Sequence, residues 1–210
     1  MTVTGHAADG SWPCSCAAAN AASRTSAVLF IVMLAACAAA IVEAQAPAAD
    51  PADVGTITDI VRVSYEVISG PAGTPRQWRR DSTLYMPGAT FVALGERGGH
   101  VQVRIMTPEE YRQRTNQRFV AEGMIETEIA GHIECFGNVA QVRSVYTFRR
   151  SATGPVEARG VNYFMLYWDG RRWWITGMAW DDERPSNPIP PQWITSKETG
   201  PPPACPAARR

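Results

Sequence analysis

Residues 125–149, IETEIAGHIECFGNVAQVRSVYTFR, alternate apolar and polar side chains on either side of a Gly137-Asn138 pair. Alternation with a period of two is typical of β-strands, and a glycine in first position suits a two-residue hairpin turn. A turn at this pair predicts that Cys135 lies opposite Ala140 on a mostly apolar face. Because a one-residue slip would mix the apolar and charged faces, the stretch predicts a long antiparallel hairpin of defined register.

The same register can be followed to the far end of this hairpin. It predicts three further pairs on the apolar face, namely Ile133 with Val142, Ile129 with Tyr146, and Thr127 with Phe148. This face is therefore expected to point toward the interior of the domain, as one apolar face of an antiparallel sheet usually does.

The opposite face of the hairpin is charged. Glu128, His132 and Glu134 occupy alternate positions there, a pattern that would also suit a metal or acid–base cluster. The facing strand presents arginines on the same side, and their positive charge would repel a metal cation. We interpret this face as a solvated outer surface and expect no metal site on it.

A second hairpin is predicted over residues 157–181. Asp169-Gly170 favours a turn, and residues 163–168 are apolar on both faces, as in a central strand. Small side chains in these strands predict the floor of a cavity, and they are Gly160, Asn162 and Gly177. The alternative for the two glycines is a β-bulge or close packing of a helix, and the pattern does not decide between these explanations.

Two helices are predicted before the sheet. Residues 57–68 place their apolar side chains on one helical stripe. Thr74-Pro75 has the features of a helix start, with a capping hydroxyl before proline. It predicts a second helix that ends at Pro87-Gly88 and carries Trp78, Asp81, Ser82 and Tyr85.

A third helix is predicted between a short hairpin and the long strands that follow it. Residues 91–94 and 101–106 suit the short hairpin. Thr107 and Glu110 then form the sequence signature of a capping box, and Gly123 suits the end of the helix they begin.

The first 46 residues are typical of a secretory signal or leader. Residues 27–42 are sixteen apolar residues in a row, preceded by Arg24. A helix of that length spans about 24 Å, which is less than the hydrocarbon core of about 30 Å. Small residues suit cleavage after Ala44, and Leu34–Cys37 resembles a lipobox in which Cys37 would be acylated. A permanent membrane anchor is the alternative.

The end of the chain is rich in proline. Residues 185–206 contain eight prolines, so we expect an extended segment that wraps the domain as far as Trp193-Ile194 rather than helix or sheet. Cys205 lies in this segment. A bridge to Cys135 is permitted in an oxidising compartment, and the sequence leaves that pairing open.

Composition excludes several classes of protein. The chain has 210 residues, is 45% apolar, and balances 20 basic against 20 acidic residues. These values exclude collagen-like, coiled-coil and wholly disordered chains. The arginines are scattered and no net positive charge exists, so we expect no nucleic-acid partner. No cofactor motif is found, and we expect contact with a membrane only through the leader or a lipid anchor.

The order of these elements resembles the nuclear transport factor 2-like, or SnoaL-like, superfamily, in particular exported bacterial members of unassigned activity. The resemblance covers residues 54–184, after a leader (1–46) and a linker (47–53) and before the Pro-rich extension (185–210). It is carried by Ser69-Gly70-Pro71, residues 136–140, residues 167–175 around Trp168-Asp169-Gly170, and residues 180–185. It implies an α+β fold, in which three N-terminal helices pack on a curved, mostly antiparallel sheet to form a cone with a pocket.

Enzymes of this superfamily place a tyrosine and acidic groups in the pocket. Tyr65 falls where ketosteroid isomerases have their tyrosine, but the two acid positions fall near Ala93 and Phe164, which cannot exchange a proton. Asp81 with Tyr65 is the remaining acid–base candidate. The alternative, which we favour, pairs Asp81 with Arg80 or Arg114. The residues expected to line the pocket are Tyr65, Trp78, Tyr85, Ser144, Tyr146, Asn162 and Gly177.

These features predict an exported module that binds a small apolar or aromatic molecule. We expect a periplasmic, secreted or outer-membrane-anchored protein that forms a homodimer, as the resemblance implies. Two alternatives remain open. One is a lyase or isomerase of the polyketide-cyclase kind that uses Asp81 with Tyr65. The other is a structural dimer whose pocket is filled by Trp173, Trp174 and Trp180.

Overall fold

The structure, a computed structural model, describes residues 48–195 and 205–207. The apolar run at 27–42, the cleavage site after Ala44 and the lipobox cysteine Cys37 lie outside the described residues. In the part of the chain that is described, no helix combines the length and the apolar character needed to span a bilayer.

Six strands form one curved, mostly antiparallel sheet. They are β1 (Tyr85–Arg97), β2 (His100–Met106), β3 (Ile125–Phe136), β4 (Val139–Arg149), β5 (Ala158–Trp168) and β6 (Trp173–Asp182). Their order across the sheet is β2-β1-β6-β5-β4-β3. Strands β1 and β6 run parallel, and every other neighbouring pair runs antiparallel. The predicted α+β class with a curved sheet is confirmed.

Five helices accompany the sheet in the described residues. They are α1 (Pro51–Val54), α2 (Ile57–Ile68), α3 (Trp78–Asp81), α4 (Pro108–Glu122) and α5 (Pro191–Thr195). Helix α2 was predicted, and its Thr56 side chain accepts a hydrogen bond from the backbone of Asp59 at its start. The apolar stripe of α2 is buried on the side of the sheet that we call the inner face, together with Phe164 and Trp173.

The prediction of a long second helix is wrong, because α3 is a single turn. The hydroxyls of Ser82 and Thr83 donate to the carbonyls of Arg79 and Arg80, and such local bonds compete with a helical backbone. Tyr85 then pairs with Ile175 of β6 and begins a strand. The expected set of three N-terminal helices is therefore not confirmed.

Helix α4 follows the predicted capping box closely. Thr107 and Glu110 bond each other's backbone in both directions, and Gly123 ends the helix with a φ of 80°. This conformation lies in the left-handed region that favours glycine. The Cβ of any other residue would also collide with the carbonyl of Arg150. The helix crosses above the inner face of the sheet, where Phe119 is buried.

The predicted hairpin register of β3 and β4 is confirmed near the turn and wrong beyond it. Cys135 lies opposite Ala140, and Ile133 opposite Val142. The register then shifts between Glu128 and Ala130, where Ile129 is an extra residue. The partners of Tyr146 and Phe148 are consequently Glu128 and Glu126, in place of the expected Ile129 and Thr127.

The Pro-rich extension lies on the outer face of the sheet, opposite α2. Ile189 is buried there in an apolar cluster with Ala130 and Val145, and the Arg143 guanidinium stacks on the Trp193 ring at 4.1 Å. Proline at the start of α5 replaces a backbone N–H that would have no partner in any case. This allows one helical turn where only extended chain was expected.

Cys135 and Cys205 are joined by a disulfide, with their Cα atoms 5.7 Å apart. The bridge joins the segment around Cys205 to the turn end of the β3–β4 hairpin. Beside it, the indole of the fully buried Trp173 donates a hydrogen bond to the carbonyl of Pro206 at 2.9 Å. The last described residues are thus fixed to the sheet by one covalent bond and one hydrogen bond.

Residues 51–53 of the predicted linker belong to helix α1. Asp53 is buried, and its carboxylate receives two hydrogen bonds of 2.7 Å from the Arg80 guanidinium. A bidentate ion pair of this kind holds both partners in a fixed orientation. Helix α1 is therefore part of the same domain as the sheet.

Candidate functional site

A cavity of about 570 Å³ lies between α2, α4 and the inner face of the sheet. Aromatic rings form much of its wall, and they are Tyr65, Tyr85, Phe91, Tyr111, Phe119, Tyr146, Phe148, Phe164 and Trp180. Phe91, Tyr111 and Trp180 contact one another edge to face, with ring centroids 5.4 to 6.0 Å apart. This arrangement fixes the rings and leaves a rigid apolar wall.

A hydrogen-bonded triad lies at the wall of the cavity, where Tyr65 and Asn162 line the space and Ser144 lies behind Tyr65. The Tyr65 hydroxyl is 2.6 Å from the Ser144 hydroxyl and accepts a hydrogen bond of 3.0 Å from the Asn162 side chain. All three residues are buried. Their burial raises the pKa of Tyr65 far above its ordinary value, so this hydroxyl remains neutral and keeps its proton.

The bulge at Ile129 brings two carboxyl groups to the inner face of the sheet. Beyond the bulge the alternation of β3 is reversed, so that Glu126 and Glu128 share a face with Phe148 and Tyr146. The interpretation of Glu128 as part of the solvated outer face is therefore wrong. His132 and Glu134, which precede the turn on the other side of the bulge, stay opposite Arg143 and Gln141 as predicted.

Glu126 is the functional group of the cavity that sequence reasoning missed. It lines the cavity, and within residues 48–195 and 205–207 no side chain or backbone group hydrogen-bonds or ion-pairs with its carboxyl. Burial and the neighbouring Asp182 carboxylate raise the pKa of Glu126 to about 8. A carboxyl group with this pKa exchanges a proton near neutral pH, which is typical of functional sites.

Glu128 lies two residues after Glu126 on β3 and is not among the residues that line the cavity. The Ser144 hydroxyl bonds to its carboxyl, but burial dominates and raises the pKa of Glu128 to about 7. A side chain at position 131 would collide with this carboxyl, so Gly131 leaves the space that Glu128 occupies. An isolated glycine inside a strand often marks a bulge, and Gly131 is the sequence signal that could have located this one.

Tyr146 connects the cavity to the end of β6. Its hydroxyl donates a hydrogen bond of 2.6 Å to the Asp182 carboxylate. The Tyr146 ring lies over Gly160, where any Cβ would collide with it. Gly160, predicted to leave room in the floor of a cavity, therefore provides space for a tyrosine that lines the cavity.

Asp81, the acid–base candidate from sequence, is not among the residues that line the cavity. It is 2% exposed, and its carboxylate accepts a 2.7 Å hydrogen bond from Arg112 of α4 and a 3.3 Å hydrogen bond from Tyr85. Burial raises the pKa of Asp81 to about 6, although Arg112 and Tyr85 act in the opposite direction. Asp81 is thus paired with an arginine as we favoured, but the expected partners Arg80 and Arg114 are wrong, because Arg80 binds Asp53 and Arg112 of α4 binds Asp81.

The other predicted pocket residues divide into two groups. Tyr65, Tyr85, Tyr146 and Asn162 line the cavity. The remaining three lie outside its lining. Trp78 stacks on Phe119 and donates to Asn116, Ser144 lies behind Tyr65, and Gly177 lies beside a register shift between β5 and β6, close to the Thr90 carbonyl.

Arginines surround the mouth of the cavity. Arg104, Arg114 and Arg118 are exposed, and Arg150 is half-buried between Glu122 and Glu157. The cavity thus has a basic mouth in water and an acidic group at Glu126 further in. No set of three His, Cys, Asp or Glu side chains among the described residues is placed to hold a metal ion.

Comparison with known proteins gives similarity in fold alone. No protein-family profile and no curated protein matches the chain. A nuclear transport factor 2-like protein of unknown function from Methylobacillus flagellatus is 16% identical, with a TM-score of 0.40, over 61% of this chain and 95% of that one. One from Silicibacter pomeroyi is 11% identical, with a TM-score of 0.40, over 61% and 93%. A protein of unknown function with a cystatin-like fold from Nostoc punctiforme is 12% identical, with a TM-score of 0.42, over 63% and 96%. The solved structures that resemble this chain include nuclear transport factor 2-like proteins, as the sequence resemblance predicts.

Proposed function

We propose that the domain binds a small organic molecule in the cavity. The observation that carries this proposal is the Glu126 carboxyl, which has no partner among the described residues, in the lining of a space of about 570 Å³ with aromatic walls. Ligand sites are usually concave and mostly apolar, occupy roughly 300–1,000 Å³, and contain a few polar groups that orient the ligand. The alternative of a pocket filled by tryptophans has less support, because Trp180 forms part of the wall and leaves this volume open.

A neutral apolar fluorophore, N-phenyl-1-naphthylamine, tests whether the cavity admits a ligand. We expect saturable binding to the wild-type domain. Ala158→Trp, which places a large side chain in the cavity lining, should weaken binding by about tenfold or more, since part of the apolar contact area is lost. The measurement is a fluorescence titration, with folding of each variant checked by thermal unfolding.

Ala152→Trp is the matched control, because Ala152 is exposed in the loop between β4 and β5. It adds the same side chain away from the cavity and should leave the affinity unchanged. Equal binding by the wild-type domain and both variants would show that the fluorophore binds elsewhere and would contradict the proposal.

A lyase or isomerase activity is the second candidate function, and Glu126 is the observation that favours it. Asp81, paired with Arg112 outside the cavity lining, does not suit the role of a base. Glu126 supplies a carboxyl that can exchange a proton, at the same cavity that Tyr65 lines. Turnover of a cyclic ketone that Glu126→Gln abolishes, while the fluorophore still binds, would identify an enzyme.

Export and a homodimer are further proposals. The Cys135–Cys205 disulfide supports export, since such bonds persist in oxidising compartments. The apolar residues Val101, Val103 and Ile105 of the edge strand β2 are 58% to 70% exposed and support a second subunit. An N-terminus intact at Met1 in the natural protein would exclude processing of a signal. Sedimentation as a monomer at tens of micromolar would exclude the dimer.

A further inference from the structure

The part of the cavity around Glu126 has a negative character, with the exposed Asp182 beside it in the lining and Glu128 on the same strand outside the lining. Glu126, Glu128 and Asp182 lie close enough to affect the ionisation of one another or of the two tyrosines Tyr65 and Tyr146. Within the described residues, no arginine contributes to the pKa of Glu126. A ligand that adds a second negative charge here would be repelled, whereas a cation would be stabilised.

The aromatic walls next to Glu126 also suit a cationic ligand. Phe148 lies directly opposite Glu126 on β4. Tyr111 of α4 is also near, because burial and then the charge of the Glu126 carboxyl raise the pKa of Tyr111. The faces of such rings attract a cation, and their apolar surface packs against a hydrocarbon body. A single group with a positive charge and an attached apolar part would satisfy both features.

We infer that the cavity takes an organic amine in its protonated form, with the ammonium group at the Glu126 carboxylate and the apolar body among the aromatic rings. This inference rests on the proposed function, and it specifies the chemical class of the ligand. The contact is a charge-assisted hydrogen bond, which is stronger than a bond between neutral groups.

The arginines at the mouth do not oppose this assignment. Arg104, Arg114 and Arg118 are exposed to water, where ions screen charges over about 8 Å at physiological salt. Arg150 lies over the Phe148 ring at 5.1 Å and is paired with Glu122 and Glu157. A ligand anchored by an anionic group at these arginines is the competing arrangement. It leaves the Glu126 carboxyl without a partner inside the cavity, a cost that an amine removes.

The charged state of Glu126 makes binding depend on pH. Titratable and charged groups lie around Glu126 on several elements, and they are Tyr65 of α2, Tyr111 and Arg118 of α4, Glu128 of β3, Tyr146 of β4, Arg150 immediately after β4, and Asp182 of β6. Because burial and Asp182 raise the pKa of Glu126 to about 8, the free protein holds a proton there at neutral pH. Binding of an ammonium ion should release that proton, so the affinity should rise from pH 6 to pH 8.

Three ligands that share a 2-phenylethyl group and differ in the charge of the attached group test the inference by isothermal titration calorimetry. They are 2-phenylethylamine, which is protonated at pH 8, the neutral 2-phenylethanol, and the anionic 3-phenylpropionate. We expect the amine to bind about tenfold or more tightly than the alcohol, since a hydrogen bond to a charged group contributes about 1.5–3 kcal/mol. The carboxylate should bind more weakly than both.

Glu126→Gln should abolish the preference for the amine while it preserves the shape of the cavity. Glu134→Gln is the matched control, because Glu134 lies on the same strand with its side chain 72% exposed on the outer face. This control should bind the three ligands as the wild-type protein does. An alcohol or carboxylate that binds as tightly as the amine, or an amine preference that survives Glu126→Gln, would overturn the inference.

The fluorophore titration separates this inference from the proposed function. If N-phenyl-1-naphthylamine binds in the cavity and the amine shows no preference, the ligand class is wrong and the binding function stands. If neither the fluorophore nor any of the three ligands binds, the proposed function itself fails.

Discussion

Replacing Cys135 by serine should lower the free energy of unfolding by about 4 kcal/mol. The disulfide to Cys205 closes a loop with a sequence separation of 70 residues, and it restricts the unfolded chain accordingly. In the folded protein, the bridge also keeps the Pro206 carbonyl beside the buried Trp173 indole. Urea denaturation of the oxidised protein, followed by tryptophan fluorescence, measures this loss.

Cys205→Ser serves as the partner variant, since it breaks the same bond from the other end. The two single variants and the double variant should unfold at the same urea concentration, and a reductant should destabilise only the wild-type protein. A reductant that leaves the wild-type unfolding curve unchanged would show that the bridge contributes nothing to stability.

Arg112→Met should lower the free energy of unfolding by about 1.5 kcal/mol at pH 7, because it removes the ion-pair partner of a buried carboxylate, which then takes up a proton instead. Asp81 has 3% of its side chain exposed, and Arg112 is bound to it at 2.7 Å. The pKa of Asp81 in the folded protein is already raised to about 6 by burial, and loss of Arg112 should raise it further. The penalty should therefore be large above pH 6 and small at pH 4, where Asp81 is protonated in the variant.

Two further variants separate this effect from a general loss of packing. Arg114→Met on the same helix removes an exposed arginine and should change stability little. Asp81→Asn added to Arg112→Met removes the buried charge and should restore most of the stability. A double variant as unstable as Arg112→Met alone would contradict the role of the ion pair.

The parts of the fold that could be predicted from sequence depend on local signals. The capping box at Thr107 and Glu110 and the turn at Gly137-Asn138 each specify backbone geometry within a few residues, and both were predicted correctly. The extent of α3 depended on tertiary structure, because Tyr85 gains a partner in β6, which is about 90 residues away in sequence. Local helix signals carry no information on this long-range strand pairing.

The candidate site was missed for a related reason. Strict alternation assigns Glu126 and Glu128 to the outer face, and a single extra residue at Ile129 reverses this assignment. Tyr65, Tyr146 and Asn162 line the cavity, Tyr65 from the apolar stripe of α2 and the other two from strands whose own alternation has no interruption at these positions. Asp81 was assigned to a helix that is shorter than expected, and its arginine partner lies on a different helix.

The proton affinity of Glu126 tests the central claim most directly. The account predicts that its side-chain carboxyl, followed by carbon-13 NMR in the labelled protein, titrates near pH 8, and that Asp182→Asn lowers this midpoint by removing a neighbouring negative charge. A midpoint near the ordinary glutamate value of about 4.3, unchanged by Asp182→Asn, would show that Glu126 is solvated and that the cavity has no acidic group to orient a ligand.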